Sequence, residues 1–185
     1  MFLVLVITES NIYNSKMKFL AVIQYHEKGK GANFAHGLYK DGFGSVEQGS
    51  FWIGLENMHK LTKTGSYGLQ VDIKEGDGVV RTLEYDFFRV SNEADNYRLY
   101  LTGFKSGTSN STDRMNYHNN KPFTTTDRDN DNHPTSNCAS EYGGSGWWYS
   151  ACYTANLNHP DGPTWTKEDR HELESKMTLI KSSYE

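Results

Sequence analysis

The sequence predicts an α+β domain, in which an antiparallel sheet with short helices carries a loop-rich binding subdomain stabilised by calcium and a disulfide. Three runs of alternating apolar residues within 67–104 are separated by short turns, a pattern typical of consecutive antiparallel strands. Across 105–145, Ser, Thr, Asn, Asp and Gly dominate, which indicates loops. We expect little buried core within 126–158, so other bonds must hold that stretch in place.

The composition is typical of one folded, polar domain. Apolar residues make up 36% of the 185 residues and aromatic residues 14%, which favours a packed domain over a disordered chain. The 23 acidic and 19 basic residues are interspersed, the net charge is −4, and no basic stripe or polybasic run occurs. We therefore expect no nucleic-acid partner and no membrane span.

The N-terminal residues 1–18 are an extension of uncertain structure. Met1–Ile7 is apolar but far too short to cross a bilayer, and it lacks the basic segment and the clear cleavage site of a signal peptide. We interpret it as a β-strand or a disordered extension, with a partial signal peptide as the alternative. The domain itself is expected to occupy residues 19–185.

The first part of the domain, 19–104, is expected to form the central sheet. Apolar runs at Phe19–Tyr25 and Phe51–Leu55 have the length of strands, and Glu56–Leu61 has the pattern of a short helix. A second short helix is predicted after Asn33, a candidate N-cap residue. The side chains of that helix expected to face inward are Phe34, Leu38 and Tyr39.

Three strands with one buried face complete this part. They are predicted at Tyr67–Ile73, Arg81–Val90 and Tyr97–Phe104, where apolar and polar residues alternate. The side chains of the second strand expected to face inward are Leu83, Tyr85 and Phe87.

The second part, 105–165, contains a candidate calcium loop. Asp127, Asp129 and Asp131 alternate along the chain, and hard oxygen ligands at alternate positions of a turning backbone suit Ca²⁺. The spacing is not that of an EF-hand, because the sixth and twelfth positions are Asn132 and Cys138 rather than Gly and Glu. The alternative is a solvated acidic loop that is held by side-chain-to-backbone turns.

The two cysteines, Cys138 and Cys152, have neither the spacing of a redox pair nor that of a zinc finger. A disulfide between them would close a loop of about 15 residues and stabilise the fold by about 3 kcal/mol. Two buried free thiols in a cytosolic protein are the alternative.

No catalytic motif is present in the sequence. Neither G-x-S-x-G nor H-E-x-x-H occurs, and no carboxylate pair stands out as a general acid and base, so we do not expect an enzyme. Asn110 begins an Asn-Ser-Thr pattern and is a candidate glycosylation site if the protein is secreted.

Several strings occur in an order that resembles the fibrinogen C-terminal-like domain of fibrinogen, ficolins, tachylectins, angiopoietins and tenascins. The longest are FWIGLEN at 51–57 and the WWY…C…ANLN pattern at 147–158, and the resemblance extends from about Ala21 to Asn158. Shorter matches are Asn96-Tyr97-Arg98-Leu99, Tyr117-His118-Asn119, Asp127-Arg128-Asp129-Asn130-Asp131-Asn132 and Asn137-Cys138-Ala139.

The resemblance implies a secreted binding module with one calcium site and one disulfide. By the family pattern, the side chains of Asp129 and Asp131 bind Ca²⁺, and the backbone carbonyls of His133 and Thr135 complete the site. The loop is one residue longer than usual, so the carbonyls of Pro134 and Ser136 are the alternative. The family disulfide corresponds to Cys138–Cys152.

The resemblance also implies a ligand pocket beside the calcium loop. Its floor would include a cis peptide between Ala151 and Cys152, and the rings of Tyr142 and Tyr153 would hold the methyl group of an acetylated ligand. Tyr153 stands where the family commonly has His. We interpret Trp147, Trp148 and Tyr149 as core residues, and of the histidines we place His118 and His133 nearest to the pocket.

Two departures from the family pattern concern the ends of the domain. The family's N-terminal segment and a Tyr-rich loop after Asn158 are not recognisable. In the closing segment, 166–185, Thr166–Met177 has a helical pattern with Thr166 as a candidate N-cap, whereas Lys176–Lys181 resembles the family's closing strand. We expect a strand in the last six to eight residues.

The combined expectation is a secreted, calcium-dependent, lectin-like domain that binds acetylated sugars or cell-surface glycans in innate immunity. The alternative is an extracellular protein-binding module of the angiopoietin or tenascin kind, or a degenerate copy without a ligand. An oligomer is compatible with either function.

Overall fold

The computed structural model describes residues 18–31, 33–105, 112–165 and 172–182, which form one seven-stranded antiparallel sheet with short helices. The predicted α+β fold is confirmed. The strands are β1 (Lys18–Glu27), β2 (Phe43–Ser45), β3 (Ser50–Trp52), β4 (Gly68–Lys74), β5 (Val80–Val90), β6 (Leu99–Lys105) and β7 (Glu174–Ser182). The α-helices are α1 (His36–Asp41), α2 (Leu55–Thr62) and α3 (Cys138–Glu141).

The closing strand β7 lies in the interior of the sheet, whose strand order is β2-β3-β1-β7-β4-β5-β6. Leu179 is paired with Ala21 of β1 on one side and with Leu69 of β4 on the other. The predicted closing strand is therefore confirmed, and the helical pattern predicted for Thr166–Met177 is wrong from Glu172 onward, whereas residues 166–171, with the candidate N-cap Thr166, lie outside the described residues. The buried side chains of this segment belong to a strand that is paired on both edges, and they do not form one face of a helix.

Helix α1 begins without the cap predicted at Asn33. Ala35 occupies the N-cap position and has no side-chain bond to the helix, while the His36 amide donates to Asp127 Oδ1 at 2.9 Å. A carboxylate distant in sequence thus satisfies a free amide of the first turn, where its negative charge is also favourable. The inward prediction is correct for Tyr39 and wrong for Leu38, which is 47% exposed because adjacent residues of a helix do not share a face.

The strands predicted from alternation match β4, β5 and β6, with one change of face. Leu83 and Tyr85 of β5 point inward as predicted, but the next inward residue is Phe88 rather than Phe87. The ladder with β6 has no pair at Asp86, opposite Gly103, whose φ is +74°. A Cβ on Gly103 would lie 2.6 Å from the Asp86 Cβ, so this irregularity requires glycine.

The loop-rich part has an aromatic core of its own, contrary to the expectation that little of 126–158 is buried. Trp147, Trp148 and Tyr149 are fully buried, which confirms them as core residues. The Trp148 indole packs against Trp52 and Phe123 at ring-centroid distances of 5.8 and 5.2 Å. The aromatic rings therefore provide the apolar contacts that the small polar residues around them cannot.

Buried amide groups connect this aromatic part to the sheet. Gln24 of β1 donates to the Leu157 carbonyl at 2.9 Å, and Ser175 of β7 donates to the same carbonyl at 3.2 Å. The loop region and the two central strands thus share buried hydrogen bonds, which are costly to leave unmade. In the part of the chain that the structure describes, no helix is long and apolar enough to span a membrane.

Candidate functional site

The first of the three alternating aspartates has a structural role. Asp127 Oδ1 accepts hydrogen bonds from the His36 amide at 2.9 Å and from Thr125 Oγ1 at 2.8 Å. Although burial opposes ionisation, these donors outweigh it and lower the pKa of Asp127 below its ordinary value. Asp127 therefore anchors α1 to the loop and stays charged.

Asp129 and Asp131 form a tight turn that leads into α3. The Asp131 amide donates to Asp129 Oδ1 at 3.2 Å. The two carboxylate oxygens of Asp131 accept from the His133 amide at 2.7 Å and from the Cys138 amide at 2.8 Å. The turn thus holds both carboxylates at one end of the loop and connects Asp131 directly to the backbone of Cys138.

The charge on Asp131 is unfavourable in this environment. Burial raises its pKa above the ordinary value and the neighbouring charge of Asp129 adds to the shift, although the amides of Cys138 and His133 oppose it. Two adjacent carboxylates, one of them partly desolvated, are stabilised by a cation. The electrostatics of this turn therefore fit a Ca²⁺ ion.

The carbonyls in the next turn are available as further ligands. No donor among the described residues bonds to the carbonyls of 133–136, which cover both ligand sets expected from the sequence. Within the same described ranges, no three His, Cys, Asp or Glu side chains cluster. A cation here would therefore bind through two carboxylates and backbone oxygens, a ligand set that suits calcium better than a transition metal.

The disulfide joins the candidate calcium loop to the second half of the candidate site. Cys138 and Cys152 are bonded, with their Cα atoms 5.3 Å apart, so the predicted disulfide is confirmed and free thiols are excluded for this pair. The Asn132 amide donates to the Ser150 carbonyl at 3.0 Å and strengthens the same connection. The peptide bond between Ala151 and Cys152 is cis, as the resemblance implies.

The structure brings the predicted ligand-binding tyrosines together. The rings of Tyr142 and Tyr153 lie perpendicular to each other with their centroids 5.0 Å apart. Tyr142 is exposed, and Tyr153 is half-buried and also contacts the ring of His159 at 6.2 Å. These rings offer apolar faces and hydroxyl groups beside Cys152.

A third tyrosine, which sequence reasoning missed, faces the same peptide bond. The Tyr117 hydroxyl donates to the Ala151 carbonyl at 3.2 Å, and Tyr117 is 40% exposed. Tyr117 belongs to the string Tyr117-His118-Asn119, which resembles the family pattern, but the prediction from sequence places only His118 near the pocket. Tyr117 therefore contacts the peptide bond that leads into Cys152, next to Tyr153, and joins the candidate ligand-binding residues.

His118 is fully buried and contacts the backbone on both sides of the Ala151–Cys152 peptide bond. Its Nδ1 lies 2.8 Å from the Trp148 carbonyl, and its Nε2 accepts from the Ala155 amide at 3.2 Å. Nε2 can accept only from the neutral ring, whose Nδ1–H donates to Trp148. Burial lowers the pKa of His118 to about 4, and the charge of Lys121 acts in the same direction. The other nearby histidine, His133, has its Nδ1 buried without a hydrogen-bond partner among the described residues.

Acid is expected to destabilise the domain through His118. The unfolded ring binds a proton near pH 6.5, whereas the folded ring stays neutral until about pH 4. Stability is therefore complete above pH 6.5, and on the order of 3 kcal/mol is lost as the pH falls to 4. Urea titrations at pH 7.5 and pH 4.5 measure this loss.

The control for this prediction is His118→Asn, which keeps a donor near the Trp148 carbonyl and cannot titrate. We expect a lower stability at pH 7.5 and a shallower pH dependence than in the parent chain. A residual slope is expected because burial also lowers the pKa of His26 and His36. Equal slopes for the variant and the parent would show that His118 does not titrate as described.

The chain is similar to one protein family over most of its length. The family model described as the C-terminal globular domain of fibrinogen beta and gamma chains matches residues 15–172. Tenascin-R of Rattus norvegicus is 40% identical over 150 residues, which are 77% of this chain and 10% of that protein. Tenascin-R of Homo sapiens gives the same identity and coverage. The chain thus spans about a tenth of the length of these curated relatives.

Several solved structures share the fold of this chain over most of its length. The fibrinogen-like globe domain of human ANGPTL2 has a TM-score of 0.78 and 32% identity, covering 93% of this chain and 83% of that one. The corresponding domain of human ANGPTL6 has a TM-score of 0.77 and 34% identity, covering 90% and 79%. Lamprey fibrin D-dimer, complexed with the peptide ligand Gly-His-Arg-Pro-amide, has a TM-score of 0.76 and 26% identity, covering 95% and 64%.

Proposed function

The chain belongs to the family of the fibrinogen C-terminal globular domain, and from this premise we propose that it is a secreted, calcium-dependent recognition module and not an enzyme. The observation that carries the proposal is the direct connection between the candidate calcium loop and the tyrosine pocket. Asp131 accepts from the Cys138 amide, and Cys138 is bonded to Cys152, beside which the tyrosines lie.

Calcium would be held by the carboxylates of Asp129 and Asp131 and by carbonyls of residues 133–136. The bound ion supplies positive charge that offsets the repulsion between the two carboxylates and the desolvation of Asp131. The turn then holds the Cys138 end of the disulfide in one position. The open carbonyls and the raised pKa of Asp131 support this assignment.

The ligand we propose is an acetylated sugar or a cell-surface glycan that carries one, a function suited to innate immunity. The rings of Tyr142 and Tyr153 would contact the acetyl methyl group, and their hydroxyls, together with that of Tyr117, would bind the polar part of the sugar. Rings with an apolar face and a polar edge suit a small amphipathic ligand.

Retention on immobilised N-acetylglucosamine tests the sugar proposal. The parent chain is expected to bind in calcium and to elute with EDTA or with free acetate, and Tyr153→Ala is expected to lose retention. Tyr25→Ala, which removes a half-buried tyrosine of β1 outside the pocket, is the matched control and should be retained. Failure of the parent chain to bind any acetylated resin in calcium would contradict the proposal.

Binding of an extracellular protein is the second candidate function, and the similarity of this chain to a peptide-bound solved structure favours it. Lamprey fibrin, 26% identical to this chain, was solved with a bound peptide. An extracellular protein segment would then occupy the tyrosine pocket, and an oligomer would increase its avidity. Titration of Gly-His-Arg-Pro-amide into the calcium-loaded chain tests this function directly. Saturable peptide binding that N-acetylglucosamine does not displace would favour it over the sugar proposal.

A further inference from the structure

A second cleft lies where the end of α2 meets the end of β5 and the turn that follows. Its volume is about 250 Å³, and its lining includes His59, Lys63, Arg89, Asp95 and Tyr100. None of these residues belongs to the calcium loop or to the tyrosine pocket. The cleft is therefore a separate feature of the domain.

Two cations of the cleft form no ion pair with any carboxylate that the structure describes. Lys63 follows the last residue of α2 and is exposed, as is Arg89 of β5. Among the described residues, no carboxylate lies within ion-pair distance of either side chain, although many surface cations of this chain are paired. The Arg89 guanidinium lies over the Tyr100 ring, 4.7 Å from its centroid, a cation–π contact that favours this position.

The carboxylate in the lining, Asp95, is already neutralised. Arg98 donates to it through Nε at 3.1 Å and through Nη2 at 3.0 Å, and the Tyr100 hydroxyl donates to it at 3.4 Å. Asp95 is thus held by Arg98 and does not compete for Lys63 or Arg89. The cleft keeps an excess of positive charge in a chain whose net charge is −4.

His59 adds an imidazole ring to the lining of the cleft. Its Nδ1 lies 3.0 Å from the Val90 carbonyl, and donation to that oxygen leaves Nε2 for another partner. The remaining lining is Val90, Ser91 and Asn92, so polar side chains outnumber apolar ones around the cleft. Such a lining suits an oxyanion on a hydroxylated ligand better than an apolar one.

We propose that this cleft binds the sulfate or carboxylate group of an acidic saccharide, with Lys63 and Arg89 as the residues that contact the anion. The overall negative charge of the chain disfavours general attraction of polyanions, so binding depends on this local arrangement. An acidic peptide would offer the same charged group, but its apolar side chains would meet only Val90, which is fully buried, and the Tyr100 ring, over which Arg89 lies. This binding does not depend on calcium and is independent of the tyrosine pocket.

The test is calorimetric titration of a sulfated heparin disaccharide into the full chain in EDTA. We expect saturable binding that weakens with added salt, because exposed ion pairs are screened. Lys63→Gln combined with Arg89→Gln is expected to weaken the affinity by at least about tenfold, since two charge-assisted contacts are lost. Lys60→Gln plus Lys181→Gln removes the same charge outside the cleft and should change the affinity by less than about twofold.

Several results would overturn the proposal. One is the absence of saturable binding by the parent chain; another is an equal loss of affinity in the Lys60 and Lys181 control. Binding that requires calcium would assign the saccharide to the other site. A glutamate-rich peptide that binds while the disaccharide does not would assign the cleft to proteins. Circular dichroism of each variant confirms that it is folded before its affinity is compared.

Discussion

Replacing Leu179 with proline is expected to leave the chain largely unfolded. Leu179 is fully buried in β7, which lies between β1 and β4, so its backbone has neighbours on both sides. Proline removes a donor from the ladder, and its ring is tolerated only at strand edges and bulges. Lost packing of about 2–5 kcal/mol, together with the lost ladder hydrogen bond and the steric conflict of the ring, approaches the whole stability of a typical domain.

The matched control is Leu179→Ala, which loses the same side-chain contacts and keeps the backbone amide. We expect it to remain folded with reduced stability, while far-UV circular dichroism of Leu179→Pro shows no cooperative thermal transition. Because Ser175 of the same strand bonds to the Leu157 carbonyl, ligand binding should be lost with the fold. Similar melting temperatures for the two variants would contradict an interior position of β7.

Loss of the disulfide has the second-largest expected effect. The sequence separation of Cys138 and Cys152 is 14, and a loop of this size gives a stabilisation of about 3 kcal/mol. Cys138→Ser with Cys152→Ser is therefore expected to lower the melting temperature by about 6–12 °C, since each kcal/mol shifts a domain of this size by about 2–4 °C. Differential scanning calorimetry measures the change.

Reduction provides the control for the disulfide prediction. A reductant should destabilise the parent chain by a similar amount and leave the double serine variant unchanged. A double variant that is within about 1 kcal/mol of the parent would mean that burial of Cys138 and the hydrogen bonds of the loop hold this region without the sulfur bond.

Local patterns in the sequence predicted most strands, because alternation is a property of the strand itself. Leu69, Val71 and Ile73 alternate in sequence and are all buried in the structure. The place of β7 could not be read in this way, since it depends on pairing with β1 and β4, far away in the chain. The helical pattern before it describes a local preference that sheet formation overrides.

The sequence predicted most of the residues that form the candidate site, but not what each of these residues does in the structure. Spacing placed three aspartates in one loop, but only the position of α1 reveals that Asp127 binds the His36 amide, 91 residues away in sequence. Trp147 and Trp148 are core residues as predicted, but the extent of burial within 126–158 exceeds the expectation, because the polar composition of this stretch hides their contacts with residues elsewhere in the chain. Such contacts are set by the folded topology.

Stability with and without calcium is the measurement that tests the proposed function most directly. At a calcium concentration about 100-fold above the dissociation constant, binding adds about 2.7 kcal/mol to the stability of the folded state. We therefore expect the melting temperature to be about 5–10 °C higher in calcium than in EDTA. Asp129→Asn should abolish this difference, whereas Asp127→Asn should lower the stability and keep the difference. Equal melting temperatures of the parent chain in calcium and in EDTA would contradict a calcium site at Asp129 and Asp131.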